Sequence, residues 1–142
     1  DDWFKKGQQL PFNCPENGRL YWNAEQYLDS EIYWFTQNPR NLPFLEQKIL
    51  LSQVGNGDLI LFDTAPAGNQ KPIVYYSHDA DYEGLPQVAG CFENYVNSLL
   101  KLGLVGDDFY SLEPFLNMET GGIDPEHPNA LAWRKLLGLG LV

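Results

Sequence analysis

The chain has 142 residues, 44% of them hydrophobic and 14% aromatic, enough for one domain that buries roughly two-thirds of its unfolded surface. That composition excludes a disordered chain, and no apolar run approaches the ~20 residues a membrane span needs. A formal charge of −10 and a pI near 4.4 repel phosphate backbones and argue against nucleic-acid binding.

The first elements are ambiguous. Residues 1–18 carry Pro11, Pro15 and Gly18 among polar neighbours and read as irregular, and Arg19–Trp22 as a short strand. Asn23 with Gln26 three positions on resembles a capping box that would start a helix at Ala24, with Tyr27, Leu28, Glu31, Trp34 and Phe35 on one face. Ile32–Thr36 is also rich in β-formers, so a strand competes with that helix. Asn38-Pro39 ends the element in either case, because the residue before proline avoids the α region.

The centre is clearer. Lys48–Val54, Leu59–Asp63 and Pro72–Ser77 are apolar runs bounded by turn formers, Gly55-Asn56-Gly57 after the first and Ala65–Asn69 after the second. Short connections between consecutive strands predict an antiparallel meander over residues 48–77. Phe92–Leu102 reads as a helix with Phe92, Tyr95, Val96, Leu99 and Leu100 on its apolar face and Gly103 at C′. A short helical turn is expected within Asp107–Leu116, interrupted by Pro114. A last helix should start at Pro128 and end at Gly138, with Leu131, Leu136, Leu137 and Trp133 facing inward. The sum is one α+β domain over residues 1–142: a twisted antiparallel sheet with helices packed on one side and at the C-terminus.

Charge is uneven along this frame. Between Pro72 and Trp133 stand Asp79, Asp81, Glu83, Glu93, Asp107, Asp108, Glu113, Glu119, Asp124 and Glu126, against the single base Lys101. Such a segment is a solubilising surface, which the residues alone favour, or a docking face for a basic partner. Cys14 and Cys91 form no CxxC pair, the pattern of a reduced, cytoplasmic protein. The chain begins at Asp1 without methionine or a signal-like stretch, which leaves a fragment of a longer protein and a removed leader both open.

Each chemical motif meets a simpler explanation. Asp79-Ala-Asp81-Tyr-Glu83-Gly84 resembles the first half of an EF-hand loop, but position 12 is Gly90 and Pro86 interrupts it, which favours a solvated acidic turn. His78 beside Asp79 suggests a metal or general-base site, yet His127 is the only other imidazole and a site needs three or four ligands. Gly55-Asn-Gly-Asp58 is glycine-rich but leads into a β-run, where a phosphate loop would open a helix. Asp58 and Asp63 flank one strand with nothing to fix their separation, and Cys91 has no evident histidine partner. No enzyme, metal or cofactor signal survives.

The central blocks carry a resemblance. Gln53-Val-Gly55-Asn56-Gly57-Asp58, Leu-Ile-Leu-Phe-Asp63 and Pro72-Ile-Val-Tyr-Tyr-Ser-His78-Asp79 look like the core of the SUKH superfamily, which holds the yeast Smi/Knr cell-wall assembly regulator and many bacterial proteins paired with polymorphic toxins. It continues through Phe92-Glu-Asn-Tyr-Val, Gly122-Ile-Asp124-Pro125 and Trp133-Arg134-Lys-Leu-Leu-Gly138-Leu, about residues 43–140. Leu10-Pro11 and Asn17-Gly18 echo the family's opening segment without the helix that usually precedes it, so part of the family's N-terminus would be missing. Gly90-Cys91 stands where a better N-cap, often Ser, is usual. The resemblance implies a non-catalytic immunity protein that binds and neutralises a basic toxin domain, often a nuclease. Asp79, Asp81, Glu83, Asp107 and Asp108 would then face the partner. A regulatory scaffold like the yeast member is the alternative, and a metal-dependent enzyme using His78 a third.

Overall fold

The structure is a computed structural model that describes residues 42–79 and 84–140. The expected strand at Arg19–Trp22, the helix or strand between Ala24 and Thr36, and the calls on Leu10-Pro11, Asn17-Gly18 and Cys14 lie outside those residues, as do Asp81 and Glu83.

Four strands form one antiparallel sheet in the order β1-β2-β3-β4: β1 Lys48–Gln53, β2 Leu59–Asp63, β3 Ile73–Tyr76 and β4 Gln87–Ala89. The first three are the meander expected at residues 48–77. Register runs from Gln53↔Leu59 to Lys48↔Asp63 across the first pair, and from Leu59↔Tyr76 to Phe62↔Ile73 across the second. A bulge between Leu50 and Ser52 makes Leu51 the extra residue of β1, and a second irregularity sets Val88 apart in β4.

The β2 and β3 runs are apolar throughout because both faces of the sheet are buried. Ile60, Ile73 and Tyr75 face one cluster, which also holds Val88, Tyr95, Leu99, Leu112, Phe115 and Trp133. Leu59, Leu61, Val74 and Tyr76 face the other, against Phe44 and Leu45 of α1, Leu42–Leu45. The remaining helices pack on the first face: α2 Phe92–Lys101, α3 Phe109–Leu112 with a 3-10 turn at Glu113–Phe115, and α4 Pro128–Leu137. This is an α+β fold, and among the described residues no helix is long and apolar enough to cross a membrane.

Two helices keep most of the expected face, with Tyr95, Val96 and Leu99 of α2 and Trp133, Leu136 and Leu137 of α4 in or against the core, and differ at its edges. In α2 the buried positions are Tyr95, Ser98 and Leu99, while Phe92 and Leu100 are 48% and 57% exposed. Ser98 occupies an inward place because its hydroxyl donates to the Ile123 carbonyl at 3.3 Å, satisfying its polar group. Phe92 instead leans on Phe62, with ring centroids 5.9 Å apart. In α4 the fully buried residues are Ala130, Trp133 and Arg134, and Leu131, Leu136 and Leu137 are only half-buried. The Cys91 N-cap makes no side-chain bond, as its weak capping chemistry implies. Pro128 and Gly138 open and close α4 as expected.

A two-stranded hairpin, β5 Leu116–Asn117 and β6 Gly122–Ile123, lies against β4. Gly122 permits this approach. A Cβ there would stand 2.8 Å from the Val88 carbonyl oxygen and 3.0 Å from the Ala89 Cα, both backbone atoms that cannot swing away.

Candidate functional site

The turn between β1 and β2 is closed by bonds from the Val54 amide to the Asp58 carbonyl and from the Gly57 amide to the Val54 carbonyl, each 2.9 Å. Gly57 takes φ 97°, a conformation that a Cβ would strain. Asn56 braces the corner: its Oδ1 accepts from the Asp58 amide at 3.0 Å, and its Nδ2 donates to Asp58 Oδ2 at 2.9 Å.

Asp58 is 2% exposed, and its carboxylate joins three parts of the fold. Oδ2 also accepts the Tyr75 hydroxyl at 2.7 Å. Oδ1 accepts the His78 amide at 3.0 Å and His78 Nδ1–H at 2.7 Å. The Tyr75 oxygen in turn accepts the Phe109 amide at 3.0 Å, so the network reaches from the β1–β2 turn through β3 to the start of α3. Both carboxylate oxygens are therefore fully occupied. Burial alone would raise the Asp58 carboxyl, but the bonds from Tyr75, from the His78 backbone and ring, and from Asn56 outweigh it and hold the carboxyl below its ordinary value. Burial first, then the Asp58 charge, push the Tyr75 hydroxyl upward.

Of the residues singled out in the sequence, Gly55, Asn56, Gly57, Asp58 and His78 thus meet at one end of the sheet. Asp63 stands at the other end of β2. It pairs with Lys48 at 2.9 Å and accepts the Ala65 amide at 3.1 Å. Burial would raise its carboxyl too, yet Lys48, the Ala65 amide and Lys71 bring it below the usual range. Asp58 and Asp63 therefore serve separate corners and are not an acid–base pair. Among the described residues no three His, Cys, Asp or Glu side chains converge as metal ligands. Cys91 is buried, and His127 caps α4 by accepting the Asn129 amide on Nδ1.

The acidic set divides. The Asp79 side chain is 84% exposed and reaches His78 Nε2 at 3.2 Å, leaving that imidazole bracketed by two carboxylates. Asp108 caps α3, accepting the Ser111 amide at 3.1 Å and the Ser111 hydroxyl at 2.6 Å. Asp107 is half-buried, and that burial, with the neighbouring Asp108 charge, raises its carboxyl. Among the described residues the buried Tyr95 hydroxyl has no hydrogen-bond partner; burial and the Asp107 charge push it upward. Glu93, Glu113 and Glu119 are exposed. Asp124 accepts Asn117 Nδ2 at 3.0 Å and the Glu126 amide at 2.9 Å, and these two bonds hold its carboxyl low against a smaller effect of burial.

Two features escaped the sequence reading. Arg134 is 2% exposed and bonds the Pro125 and Gly140 carbonyls and Glu126, tying α4 to its flanking loops. Its place beside Trp133, one turn after Ala130, was the available signal. The second is an open groove of about 530 Å³ between α2 and the β5–β6 hairpin. Asn94, Asn97 and Lys101 line the helix wall, with Thr120, Gly121 and Asp124 opposite. Comparison of the chain with protein-family models, with curated proteins and with solved structures finds no match.

Proposed function

We propose that this chain is a non-catalytic protein-binding domain of the SUKH type that neutralises a basic bacterial toxin domain, with Asp79, Asp81, Glu83, Asp107 and Asp108 on the partner-facing side. The observation that carries this reading is the division of labour among the carboxylates. Those of the motif, Asp58 and Asp63, are spent on holding the sheet corners. Asp79 and a series of glutamates point to solvent, in a segment with ten acids and one base. Negative charge left exposed at Asp79, Glu93, Glu113 and Glu119 steers a basic partner and covers the cleft that the partner uses for an anionic substrate.

The test uses whichever basic toxin domain a neighbouring reading frame encodes, and the absence of any such frame overturns the toxin reading. The parent protein is expected to bind it and block its activity. Changing Asp79, Asp81 and Glu83 to their amides is expected to slow association by roughly 10- to 100-fold at low salt. Asp107→Asn with Asp108→Asn forms a second arm, because Asp108 also caps α3. Association rates equal to the parent's in both arms overturn the electrostatic reading. A bound toxin that stays fully active overturns neutralisation.

A further inference from the structure

The β1–β2 corner also carries a reactive dipeptide. Asn56 precedes Gly57, the pairing in which the following backbone nitrogen most readily attacks the asparagine side chain. The Gly57 nitrogen bonds to Asn56 Cγ, the Cγ–Nδ2 bond breaks, and Nδ2 leaves as ammonia carrying the proton that Gly57 gave up. Water then opens the resulting cyclic imide at either carbonyl. One opening leaves an aspartate, and the other an isoaspartate whose main chain runs through Cγ. Asn56 is exposed, so water reaches it, and a glycine offers no side chain to obstruct the attack.

In the closed corner every group that must move is held. The Gly57 amide donates to the Val54 carbonyl at 2.9 Å. Asn56 Oδ1 is turned onto the Asp58 amide at 3.0 Å, and Nδ2, the leaving group, onto the buried Asp58 carboxylate at 2.9 Å. Attack therefore requires the Gly57 bond to break and the asparagine amide to swing away from Asp58, which is a local opening of the turn.

The product does not rebuild what it replaces. An aspartate in that place sets a second carboxylate against Asp58 Oδ2 where a donor stood, and like charges at that distance repel. An isoaspartate adds a backbone carbon to a turn whose Val54–Asp58 closure leads into the Gln53↔Leu59 register. Either product strikes the carboxylate that joins Tyr75 and His78 to the corner.

We infer that Asn56 is a site of spontaneous deamidation, that the closed Asp58 corner holds the reaction back, and that one passage through it disables the corner irreversibly. The hub then sets the chemical lifetime of the fold as well as its shape.

The parent protein incubated in mildly alkaline buffer, both folded and in urea above its unfolding midpoint, tests the inference. Peptide mapping by mass spectrometry reads the gain of about one dalton at residue 56, separately from the other Asn-Gly pair, Asn17-Gly18. The folded chain is expected to react at residue 56 at least about tenfold more slowly than the unfolded one, in step with the hydrogen-exchange protection of the Gly57 amide. Asp58→Asn, which loosens the hub, should raise the folded rate by about tenfold or more. Asn56→Asp should melt several degrees below the parent, and below Asn56→Ser, which removes the donor without adding charge. Equal rates in the folded and unfolded chains overturn the guarding role. An unreacted residue 56 in the unfolded chain overturns the site itself, and an Asn56→Asp variant that melts with the parent overturns its consequence.

Discussion

Replacing Asp58 with alanine is expected to lower the stability of the fold by roughly 3–5 kcal/mol, seen as a urea midpoint about 2 M lower. The substitution removes four side-chain acceptor contacts at once, those to Tyr75, Asn56 and the amide and ring of His78. It leaves the Tyr75 hydroxyl in a core where that residue is 0% exposed. The stranded donor costs more than the lost bond was worth, because nothing in the core replaces water for it. Asp58→Asn keeps the shape but turns an NH₂ toward groups that donate, so an intermediate loss of about 2 kcal/mol is expected. A midpoint unchanged in the alanine variant would show that the hub adds nothing to the fold.

The same carboxylate makes a signed pH prediction. Its folded-state pKa lies below the unfolded value, so the folded chain binds that proton less tightly than the unfolded chain does. The contribution is complete above about pH 4 and is lost as pH falls through the folded value. Asp63 and Asp124 act in the same direction, whereas Asp107, whose carboxyl is raised, favours the fold at low pH and loses that contribution as pH rises through its folded value. The three lowered groups should outweigh the one raised, so the melting temperature is expected to drop as pH falls below about 4. In Asp58→Asn the drop should be shallower.

What the sequence made legible follows from element length. β1 to β3 announced themselves because runs of four to six residues sit between turn formers. β4 has three residues and the hairpin strands two each, too few for any period to register, and they exist because Gly122 lets the hairpin settle on β4. The Asp58–His78 contact was hidden for a different reason. The two residues are 20 apart, and only the Leu59↔Tyr76 register brings them to one end of the sheet. Tyr75 read as one apolar strand residue among several; its hydroxyl acquires meaning only once Asp58 is seen to be buried beneath it. Ser98 and Arg134 mark the remaining gap. A periodicity count assigns polar residues to solvent, whereas here a carbonyl acceptor waits for each of them inside the fold.

Trp133 is the residue whose loss should cost most from the helical side of the core. It is 0% exposed, packs against Phe115 with ring centroids 6.4 Å apart, and donates from Nε1 to the Leu102 carbonyl at 2.8 Å. Leu102 follows the last turn of α2, so this bond fastens that end to α4 while satisfying a carbonyl that the helix leaves over. Trp133→Ala opens a cavity between α4 and the 3-10 turn and strands that acceptor; a loss of roughly 3–5 kcal/mol is expected from the cavity alone. Trp133→Phe separates the two effects. It keeps most of the apolar volume and removes the donor, so its loss should be nearer ~1–2 kcal/mol. Amide exchange at the α2 C-terminus should then quicken in both variants, while exchange in β2 and β3 quickens strongly only in Trp133→Ala. Equal destabilisation by the two substitutions would assign the role of Trp133 to the bond with Leu102, and an undisturbed α2 terminus would assign it to packing.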